Sequence, residues 1–595
     1  MTSYARIPQE TLNPDSEPLP SNDASKDESD SPWRIYWLTA IVCFGGLLFG
    51  YDSGVIGGVL TFDSFLRDFN YTSADQTRVS SIAVGIQQAG ALAGCLLIWP
   101  LTNRHGRRRA LMLCSLTFCT GVLFEIINSH SLLVFYTGRV ICGLGVGGSA
   151  TVSPIYLAEM SPKHLRARLG SGYQFTFTIG IFISYWIDYG LQFAPPTALQ
   201  WQVPLALQLI PGVVMGVGML ALDESVRWLL ANGDTHAAWL SLLWVRAVPS
   251  SNSAVAEEFA EMKRAVDEDI HATADFHPRE LLTRPNLHRI SLAVSLFVAQ
   301  QATGATAMAY FGPQFFAILV DPASSFSGTG AGAGSGSASG TRTVSARVSE
   351  TEANTHSLTL LLTGIFGALK VISCLLFILF IADRFGRKRL LSIGALTMAL
   401  CMITTSILLK LSPSPTPSTS TSTSTSITLP TSSLLTILLI YTSITAYNLS
   451  WGPLPWPLAA ELFPTRIRDP GVALAVASQW LSNFIWSFST PYILQGLGAA
   501  TFTLFGVFCV AIAIYVLVVL PETKGLSIEE VQGLFNSRGD WDGGDGRDGD
   551  LEREGLVRGY LGDERSRGSD RDGDEDENGD EDDAEDGKVD GRVRA

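Results

Sequence analysis

A carboxylate inside an apolar run is the first residue here whose chemistry stands out. Asp52 lies in FGGLLFGYDSGVIG, residues 44–57, within a stretch at 35–60 that is otherwise apolar or small. About 20 such residues suffice to cross a bilayer as a helix. A carboxylate near the bilayer centre costs about 2.5–3.5 kcal/mol on insertion scales, so it faces a cavity or a partner and marks an ion or substrate path. Gly45, Gly46, Gly50, Gly54 and Gly57 let another helix come close or let the backbone bend. The plain alternative is an aspartate at the outer end that reaches water. Apolar and small residues continue past it, which favours the functional reading.

The elements that must hold such a residue are membrane helices. The chain has 595 residues, of which 47% are apolar and 16% charged. Soluble proteins carry about a quarter charged residues. This composition implies a polytopic membrane protein and excludes a soluble enzyme. There is no nucleophile–base pair, metal cluster or phosphate-binding loop, so neither an enzyme nor a cofactor or metal is expected. The net charge of −15 comes largely from the tail after Asp540 and gives no ground for a nucleic-acid partner. The eight cysteines all fall in hydrophobic runs and read as small packing residues.

In chain order, residues 1–32 are polar and acidic and read as a disordered cytoplasmic segment. They carry no signal-peptide pattern, so the first span serves as an uncleaved anchor. A first six-helix bundle occupies 33–222, with spans near 33–60, 79–101, 110–128, 131–159, 169–189 and 201–222. The loop after the first span holds Asn70-Tyr71-Thr72, a glycosylation sequon if it faces outward. Residues 223–287 form a charged segment that reads as a cytoplasmic linker of amphipathic helices. A second bundle occupies 288–520. It contains low-complexity external loops at 321–356, rich in Gly and Ser, and at 412–431, rich in Ser, Thr and Pro. Residues 521–595 are an acidic, disordered cytoplasmic tail. The short loops RHGRRR at 104–109 and RFGRKR at 384–389 are strongly basic, which puts them and both termini on the cytoplasmic side.

The halves echo each other. Arg104-His-Gly-Arg-Arg returns as Arg384-Phe-Gly-Arg-Lys, Ala158-Glu159-Met-Ser-Pro162 as Ala460-Glu461-Leu-Phe-Pro464, and Asp223-Glu-Ser225 as Pro521-Glu-Thr523. Three motifs repeated in one order imply duplicated halves, and such repeats belong to transporters with a midplane site between them.

With these motifs in view, the chain resembles the sugar porter family of the major facilitator superfamily. The resemblance rests on FGYDSGVIGG, RHGRRR, GRVICGLGVGG, PIYLAEMSP, DESVRWL, QQATGATAMAYFGP, DRFGRK, WGPLPWPLAAELFPTRIR and PETKGLSIEE, which span most of 33–530. It implies an all-α membrane protein with twelve transmembrane helices in two pseudo-symmetric six-helix halves. It implies transport of a monosaccharide or polyol by alternating access, as a proton symporter and a monomer, with the lipid bilayer as surroundings and the plasma membrane as location. The alternatives are a permease for quinate or another hydroxy acid, and a transporter-like nutrient sensor.

The resemblance also assigns roles. Gln174, Gln300, Gln301, Thr306, Asn448, Trp456, Gln479 and Asn483 stand where the family contacts its sugar, and amides suit a polyol because each offers donors and an acceptor. Thr306 replaces the usual asparagine, which puts ordinary glucose selectivity in doubt. Gln87 and Gln88 read instead as helix-to-helix glue. Asp52 and Arg139 stand where proton-coupled members keep an aspartate and an arginine. Arg104, Arg107, Glu159, Arg166, Glu224 and Arg227, and in the second half Arg384, Arg387, Glu461, Arg468 and Glu522, resemble the cytoplasmic gating network, whose ion pairs are expected to cross between the halves. Lys370, in GALKV, resembles fungal quinate permeases locally. Either it meets a substrate carboxylate or it snorkels or pairs internally. Glu125 is expected near the outer surface without a role.

Overall fold

The computed structural model describes residues 33–162, 165–247, 253–274, 277–320, 341–381, 384–411 and 431–522. These belong to one compact unit, Met1–Phe535, and the second unit, Asn536–Ala595, lies outside them. The readings made for 1–32, for 321–340, for 412–430 and for 523–595 also fall outside the described residues.

The regular structure described is helical. The first half consists of Trp33–Val59, Gln76–His105, Arg107–Ile126, Leu132–Met160, Arg166–Leu191 and a broken sixth span, Leu199–Ala206 with Leu209–Gly218. The linker holds Val226–Ala231, Thr235–Arg246 and the amphipathic Ser253–Ala274, as expected from its charge pattern. The second half begins with a seventh span in three pieces, Arg284–Ala302, Ala305–Tyr310 and Gly312–Val320. Thr341–Leu376, Arg387–Leu411, Thr431–Asn448 with Pro455–Glu461, Thr465–Leu497 and Ala500–Val519 complete it. One expectation fails here. The glycine- and serine-rich loop was read as flexible through residue 356, but the chain is helical from Thr341 and runs unbroken into the eighth span. The segment from Thr341 holds no glycine or proline up to Gly364, so nothing in it interrupts a helix.

Eight helices are long and apolar enough to cross a membrane by length and composition. The fifth, seventh, tenth and eleventh spans fall short of that standard. The seventh and tenth are broken, at Gly304 and between Asn448 and Pro455. The fifth and eleventh carry Gln, Ser, Thr and Asn along their length. All eight expected substrate contacts lie on these four spans. Helices lining a polar cavity need less apolar surface than helices facing lipid. Elsewhere Leu97, Leu116, Ile393, Leu400 and Val518 are exposed on the outside of the bundle, where hydrocarbon would cover them.

Within the first half, the first span packs on the fifth, and the second and third pack on the fourth. The small-residue run of the fourth span makes this possible. A Cβ on Gly145 would lie 2.7 Å from both the Cys114 carbonyl and the Phe118 amide, and one on Gly147 would strike the Ala91 carbonyl. In the second half, the ninth span packs on the tenth and twelfth, and the seventh on the eleventh.

The halves meet through the second span against the eleventh and the fifth against the eighth. The hydrogen bonds across this seam lie at mid-helix or toward the end away from the basic loops. The Ser81 hydroxyl donates to the Phe488 carbonyl and the Tyr185 hydroxyl to the Ala309 carbonyl. His356 Nε2 and Thr61 Oγ1 are 3.0 Å apart.

Candidate functional site

The break in the seventh span sets the centre of the molecule. Gly304 takes φ = +80°, which an L side chain rarely adopts, and a Cβ there would lie 2.6 Å from the Phe505 ring. The helix therefore stops just after Gln300 and Gln301. Gln300 Nε2 donates to the carbonyls of Trp451 at 2.8 Å and Gly452 at 3.2 Å, inside the break of the tenth span. One amide thus ties the two interrupted helices together. Gln300 Oε1, Gln301 Oε1 and Gln479 Oε1 are buried and have no hydrogen-bond partner among the described residues. A buried acceptor left empty costs about 1–3 kcal/mol, and a hydroxyl-rich ligand would supply the missing donors.

Some of the other expected contacts meet residues on either side of this break. Asn483 is buried and donates to Gln88 Oε1 and to the Tyr310 hydroxyl. Asn448 is buried and donates to the Ile444 carbonyl at 2.9 Å. Trp456 meets the Phe297 ring edge-on with centroids 5.1 Å apart. Thr306 is half-buried beside the Tyr447 hydroxyl. Gln174 is half-buried on the fifth span. One turn further on, Phe177 stacks on Phe49, which in turn meets Trp480. Lys370 is buried on the eighth span, with Nζ 5.8 Å from the Phe177 ring and 6.0 Å from that of Phe366. It forms no ion pair or hydrogen bond among the described residues, so the internal-pairing alternative finds no partner there.

Asp52 and Arg139 form a wholly buried ion pair, Nη1 to Oδ1 at 2.7 Å. The reading of Asp52 as a water-exposed end residue is thereby excluded. Arg139 also donates to the Ala83 carbonyl and to Gln87 Oε1. The same Nη1 lies 3.4 Å from Glu125 Oε1, and Glu125, one residue from the end of the third span away from the basic loop, is fully buried. Gln208 Nε2 holds its second oxygen at 3.4 Å. The signal that could have found Glu125 is positional. Leu111, Cys114, Ser115, Phe118, Gly121, Val122 and Glu125 recur at helical spacing on the buried face of the third span. Gln87 and Gln88, read as glue between helices, are tied to Arg139 and Asn483.

The two halves build matching charge clusters at the basic loops. Glu224 Oε1 accepts from the backbone amides of Arg107 at 2.7 Å and Arg108 at 3.0 Å, capping the third span. Glu522 accepts from those of Arg387 at 3.0 Å and Lys388 at 3.2 Å, capping the ninth. Arg107 pairs with Glu159 at 2.8 Å, and Arg387 pairs with Glu461. These pairs lie within a half and do not cross between halves as expected. The seam contacts lie at mid-helix and the far end, so these helix ends are free to cap their own bundle. Arg104 is exposed, and Arg227 and Arg468 are half-buried; none forms an ion pair among the described residues. Arg166 is exposed, near Arg227, Arg246 and the opposite charge of Glu258. Arg384 is exposed. A linker residue, Glu280, pairs with Arg466 of the eleventh span at 2.8 Å.

A family model described as "Sugar (and other) transporter" matches residues 38–329 and 345–535. The chain belongs to this sugar transporter family. It is therefore a multi-pass membrane transporter and not an enzyme. A quinate permease of Emericella nidulans is 30% identical over 516 residues, which cover 86% of this chain and 90% of that protein. A probable quinate permease of Aspergillus niger is 30% identical over 519 residues, covering 86% and 89%. Among solved structures, the proton:xylose symporter XylE bound to 6-bromo-6-deoxy-D-glucose aligns with a TM-score of 0.64 at 25% identity, covering 85% of this chain and 100% of that one. The inward open xylose transporter XylE from E. coli aligns with a TM-score of 0.63, covering 84% and 99%, at 24% identity. The major facilitator fold, with twelve spans, is thus shared.

Proposed function

We propose that this transporter carries a quinate-like hydroxy acid across the plasma membrane by alternating access, coupled to protons, with its basic loops on the cytoplasmic side. The observation that carries the reading is Lys370, a buried ammonium against the rings of Phe177 and Phe366 with no anionic partner among the described residues. An uncompensated cation inside a membrane protein is costly, and a substrate carboxylate would neutralise it. The unpartnered oxygens of Gln300, Gln301 and Gln479 would meet ring hydroxyls. The relatives named as quinate permeases support the same substrate class.

Coupling rests on Asp52 and Arg139, and gating on Arg107 with Glu159 and Arg387 with Glu461. The two gate pairs would exchange partners as the basic ends close. A neutral monosaccharide is the second reading, favoured by the amide set and by the structural likeness to a proton:xylose symporter.

The test is uptake of labelled quinate, glucose, xylose and inositol in a transporter-null cell, with and without a proton gradient. Quinate uptake that collapses with the gradient is expected. In Lys370→Gln, quinate uptake should fall about 10- to 150-fold, the worth of a charged hydrogen bond at 1.5–3 kcal/mol. Hexose uptake that exceeds quinate uptake and ignores Lys370 would favour the second reading.

A further inference from the structure

The coupling site holds one more acid than a carboxylate–guanidinium switch needs. Arg139 Nη1 faces Asp52 Oδ1 at 2.7 Å and Glu125 Oε1 at 3.4 Å, and all three side chains are fully buried. The packing makes room for the second acid. Gly138 faces it, and a Cβ there would lie 2.8 Å from Glu125 Cγ. The groups around the cluster come from five spans. They are Asp52 on the first, Gln87 on the second, Arg139 and Cys142 on the fourth, Gln208 in the break of the sixth, and on the Asp52 side Tyr310 of the seventh. Arg139 is the cation among them. Asp52 Oδ2 has no hydrogen-bond partner among the described residues, so one of its oxygens is open to a proton.

We propose that Glu125 is the positioning residue that makes Asp52 protonatable, by receiving the Arg139 guanidinium when Asp52 takes its proton. This deepens the proton-coupled reading and rests on it. With both acids ionised the three groups carry one net negative charge. A proton arriving on Asp52 Oδ2 forms an O–H bond and brings the total to zero. The guanidinium keeps all its protons and swings from Asp52 to Glu125 about the shared Nη1. Without Glu125, the same proton would strand an uncompensated guanidinium in a buried site, a costly arrangement. Release reverses the exchange. The swing moves Arg139 off the first span and onto the third, so proton occupancy changes how the first span is held.

The experiment is the pH profile of gradient-driven quinate uptake in wild type, Glu125→Gln and Glu125→Asp, with folding followed by size-exclusion chromatography. With Glu125 neutral, protonated Asp52 leaves Arg139 unpaired, so Asp52 holds its proton less readily. The half-maximal pH should move acid by about 1–3 units, the usual effect of a neighbouring charge. Glu125→Asp keeps the anion but shortens its reach, and a smaller shift in the same direction is expected. A lower maximal rate with an unmoved midpoint in Glu125→Gln would mean a structural role and overturn the proposal. If Glu125→Gln fails to fold, an unmoved midpoint in Glu125→Asp overturns it equally. Wild-type uptake that ignores the gradient is a different outcome, because it removes the coupled reading itself.

Discussion

Asn483, on the eleventh span, donates its amide to Gln88 Oε1 of the second span at 3.1 Å and to the Tyr310 hydroxyl of the seventh at 3.2 Å. A residue expected to touch substrate therefore also bridges the two halves. A ligand that competes for this amide would loosen the seam it closes.

Gln88→Ala should favour opening at the end away from the basic loops. A neutral buried hydrogen bond contributes about 0.5–1.5 kcal/mol, so the open population should rise roughly 2- to 12-fold. The measurement is labelling of a Ser81→Cys reporter by a membrane-impermeant maleimide, since Ser81 bonds the Phe488 carbonyl across the same seam. Equal labelling rates with and without Gln88→Ala would show that this amide contact does not hold the seam.

Gly106 and Gly386 occupy matching places before the third and ninth spans, and each underlies a capping glutamate. A Cβ at Gly106 would press on Glu224, and one at Gly386 would lie 2.6 Å from Glu522 Oε2. Only Gly106 has a left-handed backbone, with φ = +93°. Gly106→Ala should therefore destabilise the protein by about 1–3 kcal/mol more than Gly386→Ala, the cost for an L residue of a positive φ with an extended ψ. Thermal melting of the purified variants in detergent tests this. Equal losses would mean that displacing the carboxylate is the whole effect.

These cases show what was legible beforehand and what was not. Asp52 stood out because its chemistry clashes with an apolar run, and the duplicated motifs marked Glu224 and Glu522 as counterparts. Glu125 was missed because a charge near the end of a span can face water, lipid or a partner, and helix rotation decides which. Gln87 and Gln88 do bond between helices, as glue should, but which spans hold their partners, Arg139 and Asn483, depends on that same rotation. The ion pairs of Arg107 and Arg387 were expected to cross the seam. Which partner an arginine takes depends on the conformation of the whole bundle, which residue types do not encode. The fold was more legible, because spans and basic loops are local features.

Glu280 and Arg466 tie the linker to the eleventh span, with Arg466 Nε and Nη2 each 2.8 Å from a carboxylate oxygen. Hydrogen bonding and charge from Arg466 hold the Glu280 carboxyl below the usual glutamate range. A depressed carboxyl favours the paired state above its ordinary range, and that contribution disappears as pH falls through the depressed value. The latch should thus be closed at neutral pH and released in acid. Hydrogen exchange across residues 278–287 should be slower in wild type than in Glu280→Gln at pH 7, and the two should converge in strong acid. Identical exchange at pH 7 would mean that the pair does not restrain the linker.

Thr306 offers the most direct handle on selectivity. It sits half-buried after the Gly304 break, next to the Tyr447 hydroxyl. A hydroxyl reaches less far than an amide and gives one donor where an amide gives two. A ring carried with its carboxylate toward Lys370 would need little from this position, whereas a neutral hexose depends on every amide it can reach. Thr306→Asn should therefore raise glucose uptake relative to quinate by about 2- to 12-fold, the worth of one added neutral hydrogen bond. Competition of unlabelled glucose against labelled quinate measures the ratio in one assay. An unchanged ratio, with the variant folded and quinate still carried, would mean that residue 306 does not reach the substrate, and selectivity would then have to be sought among Gln300, Gln301 and Gln479, whose oxygens stand unpartnered.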